Sequence, residues 1–185
     1  MNIRQIEKKD LPHLLNFSKK TFTEAFAHLN NPTDFEAFLQ TAFTLEKLEN
    51  EFYTEGVLFY IMTQEYAFAD NAETIIGFLK LNIARFPDSK PVFYSNFNYK
   101  KEELLEIERI YVDSTFQGKG IAQQLMEKAE AVARENNCPY IWLGVWNENA
   151  KALRFYEKMG FKTFGEHVFT IGTDDQTDIL MIKKI

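Results

Sequence analysis

Two glycines set one residue apart, in Gln117-Gly118-Lys119-Gly120-Ile121-Ala122, separate a strand-like run, Leu104 to Val112, from a helix-like run ending near Asn136. Glycine lets the backbone turn tightly and approach a ligand where a Cβ would intrude. The N–H groups that open the helix then point at an anion, and the helix dipole favours negative charge there. Strand, glycine loop and helix start together describe a cradle for a diphosphate. The chain has neither a G-x-x-x-x-G-K-[ST] run for a nucleotide triphosphate nor a G-x-G-x-x-G for a dinucleotide. Glycine pairs also occur in ordinary tight connections, so the meaning of this loop rests on its neighbours. Upstream, Glu106 and Glu108 lie two apart on one strand and so face one side. Beside Arg109 they read as a solvated salt-bridge pair as readily as a proton acceptor. Downstream come a second strand, Tyr140 to Trp146, and then Asn149, Tyr156, Gly160 and Phe161.

The elements that must position these residues follow from periodicity and turn chemistry. Asn2 to Ile6 reads as a first strand. Asp10 is the expected N-cap of a helix with Leu11, Leu14, Leu15, Phe22 and Phe26 on one face. Asn30-Asn31-Pro32 breaks that helix, and Thr33-Asp34-Phe35-Glu36 reads as a capping box opening the next. A third helix follows Thr44 and carries Leu45, Leu48 and Phe52. Val57 to Thr63 and Thr74 to Ile83 are strands with a turn at Asp70-Asn71-Ala72 between them, and Gly77 is a weak spot or bulge. Phe86 to Glu103, rich in Pro, Ser, Asn and Lys, is a long connection, either a substrate-side flap or a plain insertion. The helix Lys119 to Glu135 buries Ile121, Leu125, Ala129 and Val132. It supplies the crossover that two parallel strands need. A short helix over 149–158 precedes two last strands, Phe161 to Ile171 and Thr177 to Ile185, turned at Gly172-Thr173-Asp174-Asp175.

On these residues the chain resembles the GCN5-related N-acetyltransferase (GNAT) superfamily. Its [QR]-x-x-G-x-[GA] signature is met by Gln117, Gly120 and Ala122. Its second signature, an Asn, a short helix, then Tyr before Gly-Phe, is met by Asn149, Tyr156, Gly160 and Phe161. The runs Leu105 to Tyr111, Ile141 to Trp146 and Asp175 to Asp178, with Thr21-Phe22, Ala42-Phe43 and Leu45 to Glu49 near the front, resemble the PaiA-type spermidine/spermine acetyltransferases over nearly the full length. The resemblance implies an α/β (α+β) fold: one domain over residues 1–185, a mixed central sheet of about seven strands flanked by helices, and acetyl-CoA in the splay between the fourth and fifth strands.

The same resemblance implies the site. Backbone N–H groups from Gln117 through Gly118, Lys119, Gly120, Ile121 and Ala122 hold the diphosphate. The strand residues Ile110, Tyr111 and Val112 pair with the pantetheine arm, and an N–H near Ile110 or Tyr111 polarises the acetyl carbonyl. Asn149, Ala152 and Lys158 also serve the cofactor. Tyr156 is the general acid for the departing thiolate, against a reading as a core aromatic. Asn149 is equally an N-cap. A carboxylate that draws in a cationic amine and takes its proton is assigned to Glu108, with Glu106 in reserve. The acceptor implied is a polyamine. A protein N-terminus, a lysine, an amino acid or an aminoglycoside is the alternative acceptor, and an acetyl-CoA-responsive regulatory module is the reading from another class.

Composition bounds these readings. The 185 residues suit one domain with a sizeable core. Net charge −6, from 21 basic and 27 acidic residues, argues against a nucleic-acid partner and suits a cationic substrate. The 18 phenylalanines read mostly as core filling. The single cysteine, Cys138, reads as a buried thiol in a reducing compartment. His13, His28 and His167 are scattered, so no metal site is expected. The start of the chain has no apolar h-region, and no apolar run approaches the ~20 residues of a membrane span, which predicts a cytoplasmic protein. Many relatives dimerise, so the resemblance leaves a homodimer open, and the sequence identifies no interface.

Overall fold

The computed structural model describes residues 1–65, 73–87, 92–93, 99–171 and 174–185. They form two compact units, Met1–Leu81 with Arg109–Ala129, and Asn82–Glu108 with Glu130–Ile185.

In the first unit the strands run in the order β1 (Asn2–Gln5), β2 (Val57–Glu65), β3 (Glu73–Ile83) and the C-terminal half of β5 (Leu104–Val112). β1 and β2 are antiparallel, with Asn2 opposite Thr63. Helix α1 (Leu11–Phe26) begins where expected, but the carboxylate of Asp10 does not cap it. That group accepts instead from the Glu7 N–H and from both Arg4 terminal nitrogens, at 2.7 and 2.9 Å. Its buried face is Leu11, Leu14, Phe17, Ser18 and Thr21, with Leu15, Phe22 and Phe26 at the margin. Helix α2 (Pro32–Ala42) is opened by Asn31 and not by a box at Thr33. The Asn31 side chain accepts from the N–H of Thr33 and of Asp34, and Pro32 at the first helical position has no N–H to satisfy. Helix α3 (Leu45–Phe52) is capped by Thr44 and buries Leu48, while Leu45 is exposed. Phe22 contacts the rings of Phe26, Phe35, Phe38 and Phe43 at 4.7–5.7 Å, so these phenylalanines bind α1 to α2.

In the second unit the order is β5 (N-terminal half), β6 (Tyr140–Trp146), β8 (Asp174–Lys184), β7 (Lys162–Ile171) and β4 (Val92–Phe93). The two-residue β4 lies in the stretch read as a long connection and brings the strands among the described residues to eight; the seven others match expectation. The fourth and fifth long strands are β5 and β6. They pair in parallel over three residues, Leu104↔Tyr140 to Glu106↔Trp142. β6 continues antiparallel to β8 as far as Trp146↔Asp178. β7 and β8 pair up to Ile171↔Asp174, so Asp174 and Asp175, expected in a turn, belong to β8; Gly172-Thr173 and the turn expected at Asp70-Asn71-Ala72 lie outside the described residues. Helix α5 (Ala150–Lys158) follows β6.

Helix α4 (Ile121–Glu135) starts two residues later than its periodicity implied, because Gly118 and Gly120 have φ of 76° and 80°. Ile121, Leu125, Ala129 and Val132 are buried as expected. Gly77 is a point of close approach. A Cβ there would stand 3.0 Å from the Ile121 Cγ2 and 3.1 Å from the Leu125 Cδ1. Gly77→Val is therefore expected to cost about 1–3 kcal/mol through overpacking of α4 on β3. Urea unfolding of the two proteins measures it, and an unchanged midpoint would refute the contact.

Candidate active site

The glycine loop is tied down before it begins. Asp113, 8% exposed, ends β5 and accepts through Oδ1 from the Thr115 N–H and hydroxyl at 2.9 and 2.6 Å. Its Oδ2 meets Lys20 Nζ of α1 at 2.6 Å. The lysine and threonine bonds hold the Asp113 carboxyl below the ordinary range, against the opposing effect of burial. Gln117 donates to the Val112 carbonyl at 3.3 Å. At Gly118 and Gly120 no atom of the described residues, chain neighbours aside, lies within 4 Å of where a Cβ would sit. Glycine is required there by the positive φ and not by crowding against the protein. The loop from Gln117 to Gly120 is exposed, with Lys119 over the Phe116 ring at 4.8 Å. The first N–H groups of α4, beginning at Ile121, have no acceptor within the helix. This geometry suits a diphosphate. Ile110, Tyr111 and Val112 are half-buried on the strand that leads in.

In the second unit Asn149 caps α5, its Oδ1 accepting from the Ala152 N–H at 3.1 Å. Tyr156 is 8% exposed, with its ring edge-on to Phe155 and Phe161 at 5.4 and 5.8 Å. Ala152 is half-buried and Lys158 exposed.

Glu106 and Glu108 are brought together by a residue that sequence reasoning missed. Asn82 Nδ2 donates to Glu106 Oε2 at 2.6 Å and to Glu108 Oε2 at 2.7 Å. No sequence signal marks Asn82 beyond a polar side chain inside an apolar strand. Arg109, read as the partner of these glutamates, makes a bidentate pair with Glu51 of α3 at 3.1 and 2.9 Å. The same Glu51 holds the buried Lys80 at 3.0 Å. Asp113 was also missed, although Asp113-Ser114-Thr115 is an Asx-turn pattern. Cys138 is buried, its thiol 3.7 Å from the carbonyl oxygens of Glu102 and Asn136, and burial pushes its pKa up, as suits an inert thiol.

Comparison with known proteins fits this geometry. The acetyltransferase (GNAT) family model matches residues 23–161, through the glycine loop, Asn149, Tyr156 and Gly160-Phe161. The chain belongs to the GNAT family. It is an N-acetyltransferase that uses acetyl-CoA. It is 36% identical to an N-acetyltransferase encoded in the pepI 3′ region of Lactobacillus delbrueckii subsp. lactis, over 100% of this chain and 98% of that one. It is 30% identical to the spermine/spermidine N(1)-acetyltransferase of Bacillus subtilis, over 32% of this chain and 40% of that one. The crystal structure of the PaiA N-acetyltransferase of Thermoplasma acidophilum in complex with coenzyme A shares the fold, with a TM-score of 0.71 at 24% identity, over 100% of this chain and 98% of that one. Among the described residues no helix is long and apolar enough to cross a membrane.

One further carboxylate stands out in the second unit. Burial raises the pKa of Asp178 on β8 from 3.8 to about 6. Between pH 4 and 6 the native state thus binds more protons here than the unfolded chain, so stability falls as pH rises through that window. Asp178→Asn removes the cost. The variant is expected to be about 1–2 kcal/mol more stable than the parent at pH 7.5 and equal to it near pH 4. Denaturant titrations at both pH values check the sign, and equal stability at pH 7.5 would contradict it.

Proposed function

We propose that this GNAT-family protein acetylates the primary amine of a polyamine such as spermidine or spermine, by direct attack on the thioester of acetyl-CoA. The observation that carries this reading is the pair of carboxylates gathered by Asn82. Two acidic oxygens on one donor make a strongly anionic point on a sheet face, suited to a cationic acceptor. The net charge of −6 and the partial likeness to the B. subtilis spermine/spermidine enzyme support it.

A polyamine nitrogen resembles a lysine amine, with a pKa near ~10.4, so it arrives protonated and must lose a proton to attack. Glu108, with Glu106 in reserve, receives that proton. Asn82 orients both carboxylates. An N–H of Ile110 or Tyr111 donates a hydrogen bond to the acetyl oxygen as negative charge builds on it. Tyr156 gives a proton to the departing thiolate, from a buried position that keeps the phenol out of bulk water. Gln117, Gly118, Lys119, Gly120, Ile121 and Ala122 hold the diphosphate, and Asn149 adds its amide N–H groups, its Oδ1 being committed to the helix cap. Ala152 and Lys158 flank the same arm. Residues 1–185 act as one catalytic domain.

The test is release of CoA thiol across a panel of polyamines, lysine peptides, free protein N-termini and aminoglycosides. Turnover on spermidine or spermine is expected to exceed that on every other class. Tyr156→Phe and Glu108→Gln are each expected to lower kcat about 100-fold or more. Gly120→Val, which places a β-branched residue at positive φ, is expected to raise KM for acetyl-CoA at least ~10-fold. Turnover confined to peptides would replace the polyamine with a protein acceptor. Full activity in Tyr156→Phe would remove that residue from the acid role.

A further inference from the structure

Strand register in the second unit sets a line of residues on one sheet face. Glu106 is opposite Trp142, Gly144 opposite Leu180, and Asp178 opposite both Trp146 and His167. Paired residues face one side, as do residues two apart on a strand, so Glu106, Gly144 and Asp178 share that face. Gly144 is exposed although Leu143 and Val145 beside it are buried, in a strand with neighbours on both sides. The reason is local. β5 pairs with β6 only through Glu106↔Trp142, so the next residues of β6 stand clear of that ladder. A side chain at 144 would close the opening, since its Cβ would lie 3.2 Å from Asp178 Oδ2 and 3.6 Å from His167 Cε1. Asp178 thus borders exposed backbone at the middle of a strand.

A second observation lies at the Glu106 end. Asn82 is 5% exposed, and its Oδ1 accepts no hydrogen bond among the described residues while its Nδ2 serves both glutamates. A buried carbonyl oxygen beside two carboxylates is the complement of a group with several N–H donors and positive charge.

We propose that Asp178 is a second acceptor-binding carboxylate, which holds a distal ammonium group of an extended di- or polycationic amine beside Gly144 while the reacting nitrogen lies at the Glu106–Asn82–Glu108 group. This rests on the polyamine reading and deepens it by naming a specificity residue. β5 and β8 are two strand spacings apart, roughly 10 Å, and Asp178 lies four residues further along β6 than Glu106, roughly 13 Å more. A monoamine reaches one end, whereas a flexible chain with amines separated by methylenes can engage both. Burial favours the neutral carboxyl at Asp178, and His167 beside it is itself held toward its neutral form by burial, so an incoming cation finds no competing positive charge from that ring. Trp146, on the same face, offers apolar surface to the methylene spacers.

The experiment measures kcat and KM for spermidine and for n-butylamine in the parent, Asp178→Asn and Gly144→Ala. Both variants are expected to raise KM for spermidine tenfold or more, with kcat at saturation within about twofold and KM for n-butylamine within about threefold. The pH 7.5 denaturation described above reports whether each variant is folded. An unchanged spermidine KM in Asp178→Asn, or an equal loss for both amines, overturns the Asp178 assignment while leaving a polyamine acetyltransferase in place. A parent enzyme that turns over n-butylamine or peptides but not spermidine overturns the polyamine reading itself, and the Asp178 assignment with it.

Discussion

The parallel ladder between β5 and β6 lasts three residues, and most of the site in the second unit depends on where it stops. Leu104 and Trp142 of the ladder join Phe164 of β7 and Leu180 of β8 in an apolar cluster, with the Trp142 indole donating to the Arg85 carbonyl at 2.8 Å. Past Glu106 the backbone of β6 is no longer covered from that side. Gly144 becomes exposed in the middle of a strand, and beyond its partner Leu180 the face carries Asp178 and His167. A sheet in which every strand stayed paired would bury this region with side chains from both neighbours. Ending the ladder early turns a core position into an accessible one without altering the fold around it.

Polar groups in each unit are held by shared partners. Asn82 serves two glutamates, Glu51 serves Arg109 and Lys80, and Asp113 serves Lys20 and Thr115. Sharing keeps several partly buried polar atoms satisfied, although at Asn82 the Oδ1 itself accepts no hydrogen bond among the described residues. It also fixes their relative positions, which catalysis needs more than it needs stability.

Much of this could be read from the chain because it rests on local chemistry. The bounds of β5 and β6, the start of α3 at Thr44, the buried stripe of α4 and the glycine loop all follow from periodicity, capping and turn residues within a short window. Hydrogen bonds between distant segments could not be read the same way. Asp10 has the sequence context of an N-cap, but Arg4 lies close enough to claim its carboxylate. Thr33 to Glu36 has the pattern of a capping box, yet Asn31 followed by Pro32 starts the helix two residues earlier. Locally, Asn82 is only a polar side chain in an apolar strand, and the Asp175 to Asp178 run marks a family likeness without giving Asp178 a role. Their partners lie elsewhere in the chain: Glu106 and Glu108 for Asn82, and Gly144, Trp146 and His167 on two other strands for Asp178.

The glycines make the same distinction. At Gly118 and Gly120 the requirement is a positive φ, a backbone property visible in the motif. At Gly77 it is the flank of α4, forty-four residues on at Ile121, and at Gly144 it is a carboxylate on β8. Gly77 and Gly144 look alike in sequence, each a lone glycine inside a strand, whereas Gly118 and Gly120 form a spaced pair in a loop. Only the first kind announces its reason. The second kind protects packing, so substitution there is felt as lost stability. The third leaves backbone open beside a carboxylate, so substitution at Gly144 ought to be felt by whatever cation binds Asp178, with the rest of the sheet undisturbed. That difference in readout separates a structural glycine from one kept for a ligand.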